Sequence, residues 1–166
     1  GGDTTRGPLN LCITALGECE PGRALRRDGA QAGDLVWVSG RPGLASLGLA
    51  QLQGRIALSP PWNRLCVGVL EKPRPRVALG LALVGVASAA IDVSDGLLAD
   101  LGHIAERSGL AAAVQLVQLP HLRDLAGSGE GYDADLRRLA LECQLTGGDD
   151  YELCFTAPPA QAQAVG

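Results

Sequence analysis

The segment 89–109, AAIDVSDGLLADLGHIAERSG, constrains the fold more than any other part of the sequence. Ala89, Ala90, Ile91 and Val93 form a short apolar run of strand type. Leu97, Leu98, Leu101, Ile104 and Ala105 then recur at helical spacing, and Gly109 is placed to stop the helix. A strand that turns directly into an amphipathic helix must bury both apolar faces against further elements, which predicts helices laid on a sheet. The turn between them, Asp92 to Gly96, is acidic.

The rest of the chain supplies partners for that unit. Residues 9–15 alternate apolar and polar and read as a half-buried strand, and the run 35–39 reads as a short buried strand. Ala45, Gly48, Leu49 and Leu52 share a helical face. The stretch 55–76 is rich in proline and leads through Pro73 and Pro75 into a helix with Val77, Leu81 and Val84 on one stripe. Residues 114–119 read as a strand ended by Pro120. Leu136, Leu139, Ala140 and Cys143 mark another helix, and 151–156 a last strand. Hydrophobic residues make up 46% of the chain but aromatics only 3%, so the core is built from Leu, Val, Ile and Ala. The expected class is α+β, or mixed α/β, with helices packed on a sheet.

Composition also excludes partners. The net charge is −4 and no Lys/Arg-rich run occurs, which argues against nucleic acid. Five cysteines are odd in number and never form C-x-x-C, so neither a disulfide framework nor a zinc site is expected. The sequence offers no membrane span and no signal pattern, and a cytoplasmic location is the expectation. The absence of any Met and the opening on Gly1-Gly2-Asp3 suggest a fragment.

Chemistry concentrates at three Gly/Asp turns. Asp92 and Asp95 stand three residues apart where a strand passes into a helix, with no Lys or Arg beside them. Two carboxylates about 4 Å apart repel by roughly 4 kcal/mol at an effective dielectric of 20, so a cation such as Mg²⁺ is expected between them. Ser94, Gly96 and free N–H groups at the helix start would admit a phosphate. The alternative is an ordinary helix cap by Ser94 or Asp95. Gly1-Gly2-Asp3-Thr4-Thr5-Arg6-Gly7 could form a second anion cradle with a metal-binding carboxylate, or a solvated turn. Gly147-Gly148-Asp149-Asp150 pairs two carboxylates behind two glycines at another strand entrance. Arg27 could reach a phosphate or lie on a solvated face. His103 and His121 lack metal-ligand spacing, and the Tyr, Trp and Cys residues are assigned to packing.

Taken in order, GGDTTRGP at 1–8, GRALRRDGAQAGD at 22–34, VSGRPG at 38–43, IDVSDGLLADLGHI at 91–104 and GGDDYELCFT at 147–156 resemble the thiamine-monophosphate kinase family. That family belongs to the aminoimidazole ribonucleotide synthetase-like superfamily. The resemblance implies that residues 1–27 end an N-terminal ATP- and Mg²⁺-binding domain and that 28–166 form most of a C-terminal α/β domain. It implies γ-phosphoryl transfer from ATP to thiamine monophosphate, by direct in-line attack and without a catalytic side chain. By the same resemblance Gly2, Asp3, Arg27 and Ser94 match ATP contacts, Asp3, Asp92 and Asp95 match ligands of several Mg²⁺ ions, and Asp149 matches a substrate contact. Asp149 stands where Glu is frequent in the family. Family members are longer at both ends, so the chain alone is expected to be poorly active or inactive, and the full-length protein a homodimer. Other ATP-dependent members of the superfamily, or a non-catalytic nucleotide-binding domain, are the competing readings.

Overall fold

The computed structural model describes residues 7–8, 13–120, 122 and 134–165. Three strands, β1 (Leu35–Val38), β2 (Ala89–Val93) and β3 (Glu152–Ala157), form one sheet in the order β1-β3-β2. β3 is antiparallel to both neighbours, pairing Leu35 with Ala157 on one side and Val93 with Glu152 on the other. The last strand in sequence is therefore the centre of the sheet, which cannot close until the chain has returned from residue 93 to residue 152.

The helices are α1 (Leu44–Leu52), α2 (Pro60–Glu71), α3 (Val77–Ala82), α4 (Leu97–Ser108), α5 (Ala134–Thr146) and the short α6 (Ala162–Val165). α4 folds back on the sheet directly after β2, burying Leu97, Leu101 and Ile104 against Ala89, Ile91, Val93 and Cys154. Gly109 ends it in a left-handed conformation. A second cluster joins Leu44 and Leu47 of α1 to Cys66 of α2 and to Ala140 and Cys143 of α5. α5 touches both α1 and α4, so it links the two clusters and delivers the chain to the entrance of β3. The α+β class, helices on a small antiparallel sheet, is as expected.

Five local readings change. The proline-rich stretch is not a plain lead-in: Pro60 opens a 12-residue helix, α2, at the position where a missing N–H and a fixed φ cost nothing. Val77 and Leu81 are 65% and 71% exposed, because α3 stops at Ala82 and the residue it delivers to the core is Leu83. Leu49 and Leu52 of α1 are likewise exposed, since α1 is gripped from two sides through Leu44, Leu47 and Ala50 instead. Residues 114–119 find no sheet partner among the described residues; a 3-10 turn, Leu116–Gln118, leads Leu119 into the α4 cluster. In the N-terminal candidate strand, residues 9–12 lie outside the described residues, and Ile13 to Ala15 are exposed without strand pairing.

A cavity of about 720 Å³ lies between β1, α4 and residues 110–120, lined among others by Trp37, Leu101, Ile104 and Val114. None of Asp92, Asp95 or Asp149 lines it. The acidic turns face elsewhere.

Candidate functional site

Two of the acidic turns, more than fifty positions apart in sequence, are laced together. The Asp149 N–H donates to the Ser94 carbonyl at 3.0 Å, and the Tyr151 N–H donates to the Val93 carbonyl at 2.9 Å. Glycines make the approach possible. A Cβ on Gly148 would stand 2.4 Å from the Ser94 carbonyl oxygen, and one on Gly96 2.7 Å from the Thr146 carbonyl carbon. Gly96 also holds φ 116 and ψ 149, a region that residues with a side chain scarcely enter.

Asp100 shapes the first turn from beneath. It is buried on the first turn of α4, and its Oδ2 accepts the N–H groups of Ser94 at 2.9 Å and Asp95 at 3.0 Å. Those two amides, which lie just ahead of the helix, are therefore taken, while the first N–H groups of α4 itself receive no side-chain cap, so neither Ser94 nor Asp95 caps the helix by its side chain. The carboxylate that fixes the turn ahead of the helix is the one that sequence reading passed over. Its signal was an acid in the first helical turn behind Ser94 and Asp95, a variant of the capping box. With Asp100 taking the backbone, the side chains of Asp92 and Asp95 remain exposed, and neither makes a salt bridge with the described residues.

The Asp149-Asp150 pair divides. Asp149 is exposed, with φ 67, whereas Asp150 is buried and its carboxylate accepts the Gly43 N–H at 2.5 Å and the Ala45 N–H at 3.0 Å. Asp150 thus ties the β3 entrance to the start of α1. Burial pushes its carboxyl up from 3.8 to about 6, against the opposing pull of the two N–H donors. The native state then holds a proton that the unfolded chain has released. Stability supplied by this group is full below pH about 4 and is lost as pH rises through about 6, by about 3 kcal/mol at most. Urea midpoints across that range should fall for the parent and run flatter for Asp150→Asn, which has no such proton to lose.

Tyr151 is not a core residue, as packing alone would have it: it is 43% exposed, precedes β3 and has φ 50. Its hydroxyl donates to Asp149 Oδ1 at 3.5 Å. The phenol is pushed up first by partial burial, then by the negative charge of Asp149, and also by that of Asp92 and Asp95. Three carboxylates from two turns therefore share the surroundings of one phenol. Nearby, buried Glu152 is held by the Arg76 guanidinium, whose Nε donates to Oε2 at 2.7 Å, and by the Ser39 hydroxyl. That cation is already committed.

The remaining candidates stand apart from this cluster. Gly2 and Asp3 lie outside the described residues. Arg27 is exposed, and its carbonyl accepts the Ser108 hydroxyl at 3.3 Å, at the far end of α4 from Asp95. The length of that helix, about 18 Å, separates them. Among the described residues no group of three His, Cys, Asp or Glu is placed to hold a metal ion by itself. Burial pushes the Cys66 and Cys143 thiols up to about 11 and Cys154 to about 12, which fits their role as core residues.

The chain is 45% identical to the thiamine-monophosphate kinase of Salmonella typhimurium, over 95% of this chain and 47% of the relative. It is 46% identical to that of Haemophilus influenzae, over 96% and 47%. The crystal structure of the thiamine-monophosphate kinase from Stenotrophomonas maltophilia K279a superposes with a TM-score of 0.73 at 48% identity, covering 87% of this chain and 45% of that one. The chain belongs to the thiamine-monophosphate kinase family. A structure of AaThiL complexed with AMPPCP and TMP also matches, with a TM-score of 0.67 and 30% identity over 82% of this chain and 43% of that one. No family model matches. The chain spans about half the length of the curated family relatives it matches. Its fold is the aminoimidazole ribonucleotide synthetase-like type that the motifs implied. Among the described residues no helix is long and apolar enough to cross a membrane.

Proposed function

We propose that the protein carrying this chain transfers the γ-phosphoryl group of ATP to the phosphate of thiamine monophosphate, forming thiamine diphosphate and ADP. The observation that carries the reading is the lacing of the two acidic turns, which brings Asp92, Asp95 and Asp149 to one exposed place where, among the described residues, none of them makes a salt bridge. Membership of the kinase family supports it, as does the AaThiL relative with AMPPCP, an ATP analogue, and TMP.

In this reading the bond from the γ-phosphorus to the bridging oxygen breaks as an oxygen of the acceptor phosphate attacks in line. The protein's task is alignment and charge neutralisation. Asp92 and Asp95, joined by Asp3, would hold Mg²⁺, and their uncompensated carboxylates fit a hard cation. When bound, Mg²⁺ offsets the repulsion between the two phosphate groups. Asp100 and the Ser94–Asp149 bond keep the two turns in register. Ser94, Gly2, Asp3 and Arg27 would contact ATP, and Asp149 the acceptor. We assign residues 1–27 to the end of an N-terminal domain and 28–166 to a C-terminal one. A cytoplasmic homodimer goes with the same reading.

Incubating the full-length protein with ATP, thiamine monophosphate and Mg²⁺ tests it: thiamine diphosphate should form with ADP in equal amounts, and formation should stop when the Mg²⁺ is chelated. The 166-residue chain by itself should turn over poorly or not at all. Failure of the full-length protein to form thiamine diphosphate would overturn the assignment.

A further inference from the structure

Tyr151 has no evident packing role, yet the fold holds it in a costly conformation. A left-handed φ in a bulky residue costs on the order of 1–2 kcal/mol, and Tyr151 lies between Asp150 and Glu152, both buried and fully bonded. Those flanking anchors and the bond to the Val93 carbonyl leave the Tyr151 backbone no choice. The result is a phenol turned toward Asp149, itself left-handed, rather than into the core. The polarity of that contact is fixed, because an ionised carboxylate only accepts and the phenol therefore donates. At 3.5 Å the contact is at the long end of the hydrogen-bond range.

We propose that Tyr151 is a positioning residue: its hydroxyl donates to Asp149 and aims that carboxylate at the acceptor substrate, beside Asp92 and Asp95. The inference rests on the phosphoryl-transfer reading above and on Asp149 as the acceptor contact. Asp149 is exposed, and the like charges of Asp92 and Asp95 favour any rotamer that turns its carboxylate away. One fixed donor opposes that drift. The hydroxyl acts on the acceptor side of the site and leaves the ATP side untouched.

The test is Tyr151→Phe in the full-length protein, alone and combined with Asp149→Asn. The KM for thiamine monophosphate should rise roughly three- to tenfold in the single variant, while kcat and the KM for ATP stay within about twofold and the melting temperature is unchanged. In the Asp149→Asn background, adding Tyr151→Phe should produce no further rise. An unchanged KM for thiamine monophosphate overturns the proposal. So does a parallel shift of both KM values with a lowered melting temperature, which is the mark of a structural residue. If the parent turns over thiamine monophosphate normally, such a result falls on Tyr151 alone. An inactive parent overturns the phosphoryl-transfer reading and this proposal with it.

Discussion

Asp95→Asn in the full-length protein is expected to lower the rate of thiamine diphosphate formation by about 100-fold or more, with the unfolding midpoint at or slightly above that of the parent. The asymmetry follows from where the side chain sits. Asp95 donates its backbone N–H to Asp100, and that bond survives the substitution. Its carboxylate is exposed and makes no salt bridge with the described residues, so nothing structural is lost. What is lost is one negative charge from a set of three that makes no salt bridge with the described residues. Removing it relieves repulsion among the carboxylates but leaves bound phosphates without one anchor for their counter-ion. Asp92→Asn should behave alike, as its side chain is also exposed, at the end of β2. Steady-state kinetics beside a denaturation curve make the measurement. Full activity in both variants would favour the non-catalytic nucleotide-binding reading instead.

Gly96→Ala should act through stability, costing about 3–5 kcal/mol. Two independent penalties combine at this position. The backbone at φ 116 and ψ 149 is reserved for glycine, and the added Cβ would lie 2.7 to 3.0 Å from three backbone atoms of Thr146. The clash cannot relax by a rotamer change, since it is with main chain. Either α4 or the end of α5 must shift, and with it the bond from Asp149 to Ser94. Gly102→Ala is the internal control: Gly102 lies within α4 with open space around it, and there a Cβ should stabilise by up to about 1 kcal/mol. Urea midpoints of the two variants should move in opposite directions. Equal midpoints would show that the turn between β2 and α4 is soft.

These expectations separate what is local from what is not. The strand-turn-helix unit 89–109 was legible because every signal in it is local: an apolar run, a 3.6-residue period and a terminal glycine. α5 was legible for the same reason, and the scarcity of aromatics correctly announced an aliphatic core. Where a pattern admits two geometries, locality failed. Residues 114–119 read like a strand but pair with none of the described residues, and Val77 and Leu81 repeat like a buried stripe on a helix too short to use it.

The site divides along the same line. The sequence by itself determined that acids cluster beside glycines at the entrances and exits of strands, and that the aliphatic segments fold as helices on a sheet. Only the tertiary structure decided which acid does what. Asp100 and Asp150 are buried and each accepts two backbone N–H donors, whereas Asp92, Asp95 and Asp149 accept none among the described residues and stay exposed. For Asp100 the donors are local, on the turn just before it, but for Asp150 and Asp149 the choice depends on β3 inserting between β1 and β2 and on left-handed backbone at Asp149 and Tyr151. Residue type and spacing carry a carboxylate's charge, but its direction is set by hydrogen bonds that close only when distant segments meet.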